Sequence, residues 1–267
     1  MYLIGERING MFNDIKTAIQ TKDEKIIQQW VEKQLSSVVD ALDVSVGPAA
    51  ENPIDAMVWL VKTIRKFTDI TLSIDTTKYE VMQAGIETAG VGKSIINSCS
   101  ADEENLEKFI PLMKKHNSKM IVLTMTKNGI PRDFSSRVEL AANIISKCVE
   151  NEVDIENIFI DAVILPLNVA QDQCVEVLET ISQIKLLSNP APKTILGLSN
   201  VSQKTSSRSL INRTFLVLAL SRGLDAAILD VNDRELIISM ITAEFLLNKH
   251  IYCDNFIDSY LKNKKTK

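Results

Sequence analysis

Four short apolar runs in this chain end on a carboxylate or a carboxamide: Ile70-Thr-Leu-Ser-Ile-Asp75, Ser94-Ile-Ile-Asn97, Asn157-Ile-Phe-Ile-Asp161 and Thr194-Ile-Leu-Gly-Leu-Ser-Asn200. Runs of this length, bounded by glycine or polar residues, read as buried strands. If the four are parallel, Asp75, Asn97, Asp161 and Asn200 share the carboxyl-terminal edge of one sheet, where α/β folds carry their ligands. Each acidic terminus has a plainer use as well, because an Asp such as Asp75, followed by Thr-Thr-Lys, can cap the next helix.

Two carboxylates and two carboxamides offer hydrogen bonds but no nucleophile, and no histidine stands at a strand end. A carboxylate accepts two N–H bonds from a guanidine-like edge, while a carboxamide supplies one donor and one acceptor. The set therefore suits a flat heterocycle with amide-like edges, and a pterin presents both kinds of edge.

The elements that would position these groups alternate along the chain. Tyr2-Leu-Ile4 reads as a short first strand, and the polar turn Gly5-Glu-Arg-Ile-Asn-Gly10 puts Glu6, Arg7 and Asn9 at its carboxyl end. Ala41–Val46, Met120–Leu123 and Ala226–Asp230 add strands to the four above. Helical apolar spacing covers 22–38, 53–67, 78–89, 136–150, 171–187, 209–222 and 233–247. Another helix follows Ser100-Ala-Asp-Glu, which has the form of a capping box. The loop Thr124–Asp133 is long for a βα turn. Eight strands alternating with helices predict a (β/α)8 TIM barrel in a single domain over residues 1–267, with the residues through Tyr260 as a tail across the outside.

Composition narrows the partners. A net charge of −4 and a pI near 5.4 argue against nucleic acid. Cys99, Cys148, Cys174 and Cys253 form no CxxC pair, and His116 and His250 are far apart in sequence, so neither a disulfide framework nor an intrinsic metal is expected. No stretch approaches 18 apolar residues and the chain opens on a strand-like run, which predicts a cytoplasmic protein without a membrane partner. Both histidines read as surface residues and Trp30 and Trp59 as core. Cys99 follows Asn97 closely enough to lie near the site, and Lys262–Lys267 reads as a solvated tail.

Several stretches together resemble the pterin-binding methyltransferases: Gly5-Glu-Arg-Ile-Asn-Gly10, Leu42-Asp43 with Gly47-Pro48, Ile74-Asp75, Ile96-Asn97-Ser98, Ile160-Asp161, Leu165-Pro166 with Asn168-Val-Ala-Gln-Asp172, and Leu196–Gln203 through Leu210-Ile-Asn-Arg213. The resemblance covers essentially the whole chain and is greatest to the methyltetrahydrofolate:corrinoid/iron–sulfur protein methyltransferases. It implies a pterin-binding TIM barrel that moves the N5 methyl between 5-methyltetrahydrofolate and the cob(I)amide (cobalamin type) of a separate corrinoid protein, and it implies a homodimer. It further implies that Asp75, Asn97 and Asp161 anchor the pterin, that Asn200 bonds N5, and that Gln203 and Arg208 make further folate contacts. Two positions depart from the family pattern, since Ser45 and Thr126 stand where Asn is expected. The same fold also serves catabolic systems that load methyl groups onto tetrahydrofolate, dihydropteroate synthase-like condensation, and conceivable folate-binding barrels without turnover. The condensation needs basic groups for a diphosphate, yet Val-Ser-Gln separates Asn200 from Lys204.

Overall fold

The computed structural model describes residues 1–265 and closes eight parallel strands into a barrel in chain order. The strands are β1 (Tyr2–Asn9), β2 (Ala41–Ser45), β3 (Thr71–Asp75), β4 (Ser94–Ser100), β5 (Lys119–Leu123), β6 (Ile158–Asp161), β7 (Lys193–Gly197) and β8 (Ala226–Leu229). Nine helices lie between or directly after them: α1 (Asn13–Thr21), α2 (Glu24–Leu35), α3 (Pro53–Arg65), α4 (Tyr79–Ala89), α5 (Glu103–His116), α6 (Phe134–Glu150), α7 (Gln173–Ile184), α8 (Arg208–Ser221) and α9 (Arg234–Leu246). The expected (β/α)8 TIM barrel is thus the observed fold, and α10 (Phe256–Lys265) follows it.

Strand residues alternate between the helix layer and the barrel axis. Ile4, Ala41, Ile95, Phe159 and Ile195 meet inside the barrel in one fully buried cluster. Two positions further along those strands stand Glu6, Asp43, Asn97, Asp161 and Gly197. An apolar plug is therefore overlaid by a polar layer at the carboxyl-terminal mouth. The intervening residues, among them Leu42, Val44, Ile74, Ile96 and Ile160, pack outward against the helices.

Register shifts adjust this alternation at two strand ends. The β1–β2 register slips between Gly5 and Ile8, and the β4–β5 register slips between Asn97 and Cys99, beside a cis Asn97–Ser98 peptide. A bulge reverses the face presented by the residues beyond it. Glu6 and Asn97 keep the inward parity, while Ile8 and Cys99 join the outer core.

Several expectations are corrected here. The polar stretch Gly5–Asn9 continues β1 instead of turning, because its backbone still pairs with β2 through Asn9↔Ser45. Helix α1 was not foreseen; it is mostly polar and buries only Ile15, Ala18 and Ile19. Ser100 ends β4 and does not cap α5, since its hydroxyl bonds the Asp102 carboxylate at 2.5 Å. His116 is buried at the end of α5, with no hydrogen-bond partner at Nε2, whereas His250 is exposed as expected, beside Glu244. Trp30 and Trp59 pack partly buried against the core, as expected. The basic tail is not free solvent-facing chain as far as Lys264, whose Nζ bonds Asp40 Oδ2 at 2.7 Å; Lys267 lies outside the described residues.

Candidate active site

The polar layer begins on β2. Asp43 is 4% exposed, and its Oδ1 accepts from Ser73 Oγ at 2.8 Å and from Asn97 Nδ2 at 2.9 Å. Asp75 pairs in register with Asn97 and accepts a bond from the Ser45 hydroxyl. Burial pushes the Asp43 carboxyl well above the usual range, and the nearby Asp75 charge pushes it further. Burial raises Asp75 as well. Both carboxyls therefore hold their protons to higher pH than isolated Asp residues would.

Glu6 enters from β1, with its Oε1 accepting from Ser199 Oγ at 2.8 Å. Its carboxyl is raised, chiefly by burial and also by Asp230, while Ser199 and Arg208 oppose the rise.

Asp161 lies across the mouth at the end of β6 and is 8% exposed. Its Oδ1 accepts the Val163 N–H at 2.7 Å, and the Gly197 N–H reaches the same carboxyl. Burial lifts its pKa to about 6, against the pull of those two amides and of Arg137.

Asn200 belongs to a short 3-10 turn, Leu198–Asn200, directly after β7 and is exposed toward the mouth. Its amide folds back over Gly197, where a Cβ would stand 3.0 Å from Nδ2. Gly197 thus lets Asn200 approach while its own N–H serves Asp161. Gln203 is exposed and joined to Asn200 by its backbone N–H, at 3.1 Å from the Asn200 carbonyl. Arg208, also exposed, reaches Ser202 Oγ at 3.2 Å and the Ser199 carbonyl at 3.4 Å.

Among the six expected residues, Asp75 and Asn97 form one group and Asp161 and Asn200 meet through Gly197. Gln203 and Arg208 stand on the rim beyond them. Asp43 and Glu6 belong to the same layer but were not among the expected site residues. The signal for Asp43 was period-two spacing, since Ala41, Asp43 and Ser45 share one face of β2. Ser45, a departure from the family pattern, serves Asp75, and Thr126 closes a tight turn by exchanging backbone bonds with Gly129 at 3.2 and 2.8 Å. Cys99 does not face the site. It is buried among the helices with its Sγ 3.8 Å from Met120 Sδ, and burial pushes the thiol strongly up.

Among the described residues, no three His, Cys, Asp or Glu side chains are grouped so as to hold a metal ion. Nor is any helix among them long and apolar enough to cross a membrane.

A closed parallel barrel whose carboxyl-terminal mouth is lined by carboxylates and amides defines an α/β-barrel protein. The sequence profile of the family described as pterin binding enzyme matches residues 7–230. The chain belongs to the pterin-binding enzyme family. It is 24% identical to a methylcorrinoid:tetrahydrofolate methyltransferase of Eubacterium limosum over 99% of this chain and 97% of that protein. It is 29% identical to a methionine synthase of Mycobacterium leprae over 85% of this chain, which spans only 20% of that longer protein. Among solved structures, a Coxiella burnetii dihydropteroate synthase in complex with pteroic acid aligns with TM-score 0.67 at 16% identity, over 91% of this chain and 94% of that one. A Yersinia pestis dihydropteroate synthase with a sulfonamide drug complex aligns with TM-score 0.66 at 13% identity, over 93% and 94%. At these identities the structural likeness speaks for the fold.

Proposed function

We propose that this methyltransferase moves the N5 methyl group between 5-methyltetrahydrofolate and the cobalt of a corrinoid carried by a separate protein. The observation that carries this reading is the set of carboxylates at the mouth of a barrel of this family, Asp43 and Asp161 buried and Asp75 partly buried, with no cation within ion-pair distance among the described residues. Acceptors left in that state are matched by the ring N–H and exocyclic amine of a pterin. Asp161 faces one side of the mouth, and Asp75 with Asn97 and Asp43 the other, so the flat ring is gripped by its edges.

The reaction itself asks little covalent chemistry of the chain, because reduced cobalt is the nucleophile and arrives as a substrate. The difficulty lies in the leaving group, an amine nitrogen that must gain positive character or a proton before its C–N bond breaks. Asn200 is the group assigned to N5. Its amide is exposed toward the mouth and restrained over Gly197, where it can hydrogen-bond N5 more strongly as the transition state forms. A bond realised mainly at that point contributes about 2.7–4 kcal/mol, by analogy with an oxyanion-hole donor. Alignment of methyl and cobalt contributes about 7–11 kcal/mol more. Gln203 and Arg208, on the rim, are assigned to the folate beyond the ring.

The name of the full-length relative runs from methylcorrinoid to tetrahydrofolate, which favours that direction in the cell. The test measures both directions with free cobalamin: cob(I)alamin with 5-methyltetrahydrofolate, and methylcobalamin with tetrahydrofolate. The expected result is stoichiometric methyl exchange followed by the corrinoid spectrum. Tight folate binding with no exchange in either direction would instead identify a folate-binding barrel without turnover.

A further inference from the structure

Arg137, on α6, is the largest fully buried side chain among the described residues, and none of its hydrogen bonds goes to an acid. Its Nε donates to the Pro131 carbonyl at 2.8 Å, one Nη to the Ala162 carbonyl at 3.0 Å, and the other to Gln173 Oε1 at 2.6 Å. Among the described residues, no carboxylate comes within ion-pair distance of it. A guanidinium buried in this way is costly unless its geometry is needed, since each charge taken from water carries a penalty of several kcal/mol.

The three acceptors belong to three different segments at the barrel mouth. Pro131 lies in the long loop after β5, Ala162 directly follows Asp161, and Gln173 opens α7. One planar fork therefore ties together the walls on either side of Asp161. The backbone between them is under tension: Val163 has φ +57, a left-handed conformation that a β-branched side chain rarely adopts. That conformation turns the Val163 N–H onto Asp161 Oδ1, while the carbonyl of the preceding residue is the one Arg137 holds.

We propose that Arg137 is the positioning residue of Asp161: its fork holds the Ala162–Val163 turn that presents the carboxylate, and its charge favours the ionised form of that carboxylate. The inference rests on the pterin reading above for its purpose, although not for its geometry. The charged groups facing Arg137 are Asp133 ahead of α6, Glu176 on α7 and Asp161 itself. The cation felt by Asp161 is Arg137, which draws its pKa downward against burial. A neutral pterin edge needs the ionised carboxyl, so affinity falls as pH drops through the Asp161 pKa. Weakening the field of Arg137 moves that fall to higher pH.

Two substitutions test this. Arg137→Met removes fork and charge together. Gln173→Glu keeps the shape and the bond to Arg137 and gives the guanidinium an acidic partner; it forfeits only the Nε2 bond to Asp172 Oδ2 at 3.0 Å, so it is the milder of the two for folding. The titration of Asp161 is read directly by 13C NMR of its carboxyl, assigned with Asp161→Asn, beside calorimetric binding of tetrahydrofolate from pH 5 to 8. Both variants should move the Asp161 midpoint and the acid limb of binding upward by about one pH unit, the size expected for one nearby charge. A folded Gln173→Glu protein whose Asp161 titrates at the parental pH overturns the proposal, whatever Arg137→Met does. Affinity lost equally at every pH, with an unmoved midpoint, overturns it too, since that is the signature of a merely structural strut. If the parent binds no folate, the pterin reading fails while the NMR titration still decides the role of Arg137.

Discussion

The two ends of the barrel treat their acids in opposite ways. At the amino-terminal end, Asp40 accepts from the Leu3 N–H and from Lys264 Nζ, at 2.8 and 2.7 Å. Asp225 likewise accepts from the Thr194 N–H and Lys185 Nζ, each at 2.7 Å. At the carboxyl-terminal end, Asp43 and Asp161 are more deeply buried, and among the described residues neither they nor the partly buried Asp75 has a cation within ion-pair distance. The arginines, by contrast, act alike at the two ends. Arg65 staples the carbonyls of Ile70, Ala89 and Lys93 where β3 and β4 begin, and Arg137 staples the loops around Asp161. One end completes its own electrostatics with lysines. The other leaves acceptors incomplete for donors that only a ligand brings, and it is less stable for doing so.

The largest expected effect breaks the chemistry at the open end while sparing its grip. Asn200→Ala should lower the single-turnover rate of transfer to cob(I)alamin at saturating folate by about 10²–10³-fold, because its bond strengthens as N5 gains charge. A full rate at saturation, with affinity alone reduced, would make Asn200 an anchor. Next comes the anchor itself. Asp161→Ala should weaken tetrahydrofolate binding by about 1.5–3 kcal/mol, the value of a charge-assisted bond. Calorimetry showing parental affinity would remove Asp161 from the site.

The contrast between the ends also has a sign in stability. Asp161 has its folded pKa raised to about 6 by burial. For a raised carboxyl, the folded state holds the proton more firmly than the unfolded chain does. The contribution of Asp161 to stability is therefore greatest at low pH and declines as pH rises from about 4 to about 6, then stays level. Asp161→Asn abolishes that decline. Urea unfolding at pH 8 should find the variant more stable than the parent by about 3 kcal/mol, with little difference near pH 4. Asp225→Asn, which loses a partly exposed lysine pair, should instead destabilise by under about 1 kcal/mol. If both substitutions shift stability the same way, the two ends do not differ as described.

Much of this was legible in the chain, and the exceptions have physical causes. Asp75, Asn97 and Asp161 stood out because each stops a β-branched run, and the barrel followed from eight such runs. Glu6 was legible at the end of the first strand but not as part of the site: Gly5 and Gly10 read as a turn, while the backbone continues β1 through a bulge that local composition does not reveal. Asp43 sits within a strand instead of at its end, so only its period-two partners betray it. Cys99 seemed to follow Asn97 into the site, but the register shift between them turns its thiol into the helix layer. Arg137 gave no sign at all. A single arginine on a helix ordinarily lies in solvent, and its burial depends on three carbonyl-type acceptors drawn from segments distant in sequence.

The smallest effect probes how closely the open end is set. Gly197 is not held by its own dihedrals, since its φ of −73 is open to any L residue. It is held by space, because a methyl there would meet Asn200 Nδ2 at 3.0 Å, closer than ordinary contact. Gly197→Ala should therefore move the Asn200 amide by a few tenths of an ångström, while the Gly197 N–H continues to serve Asp161. Folate affinity should stay near parental, and stability should be unchanged or rise by about 0.4–1 kcal/mol, as the unfolded chain loses freedom. Transfer at saturating folate should fall by roughly threefold to tenfold, less than the ~10²-fold that a full ångström of misplacement costs. The three readings separate the causes. A loss of affinity would mean that the Asp161 side had shifted, and an unchanged rate would mean that Asn200 works over a range of positions, so that the glycine is spared for packing alone.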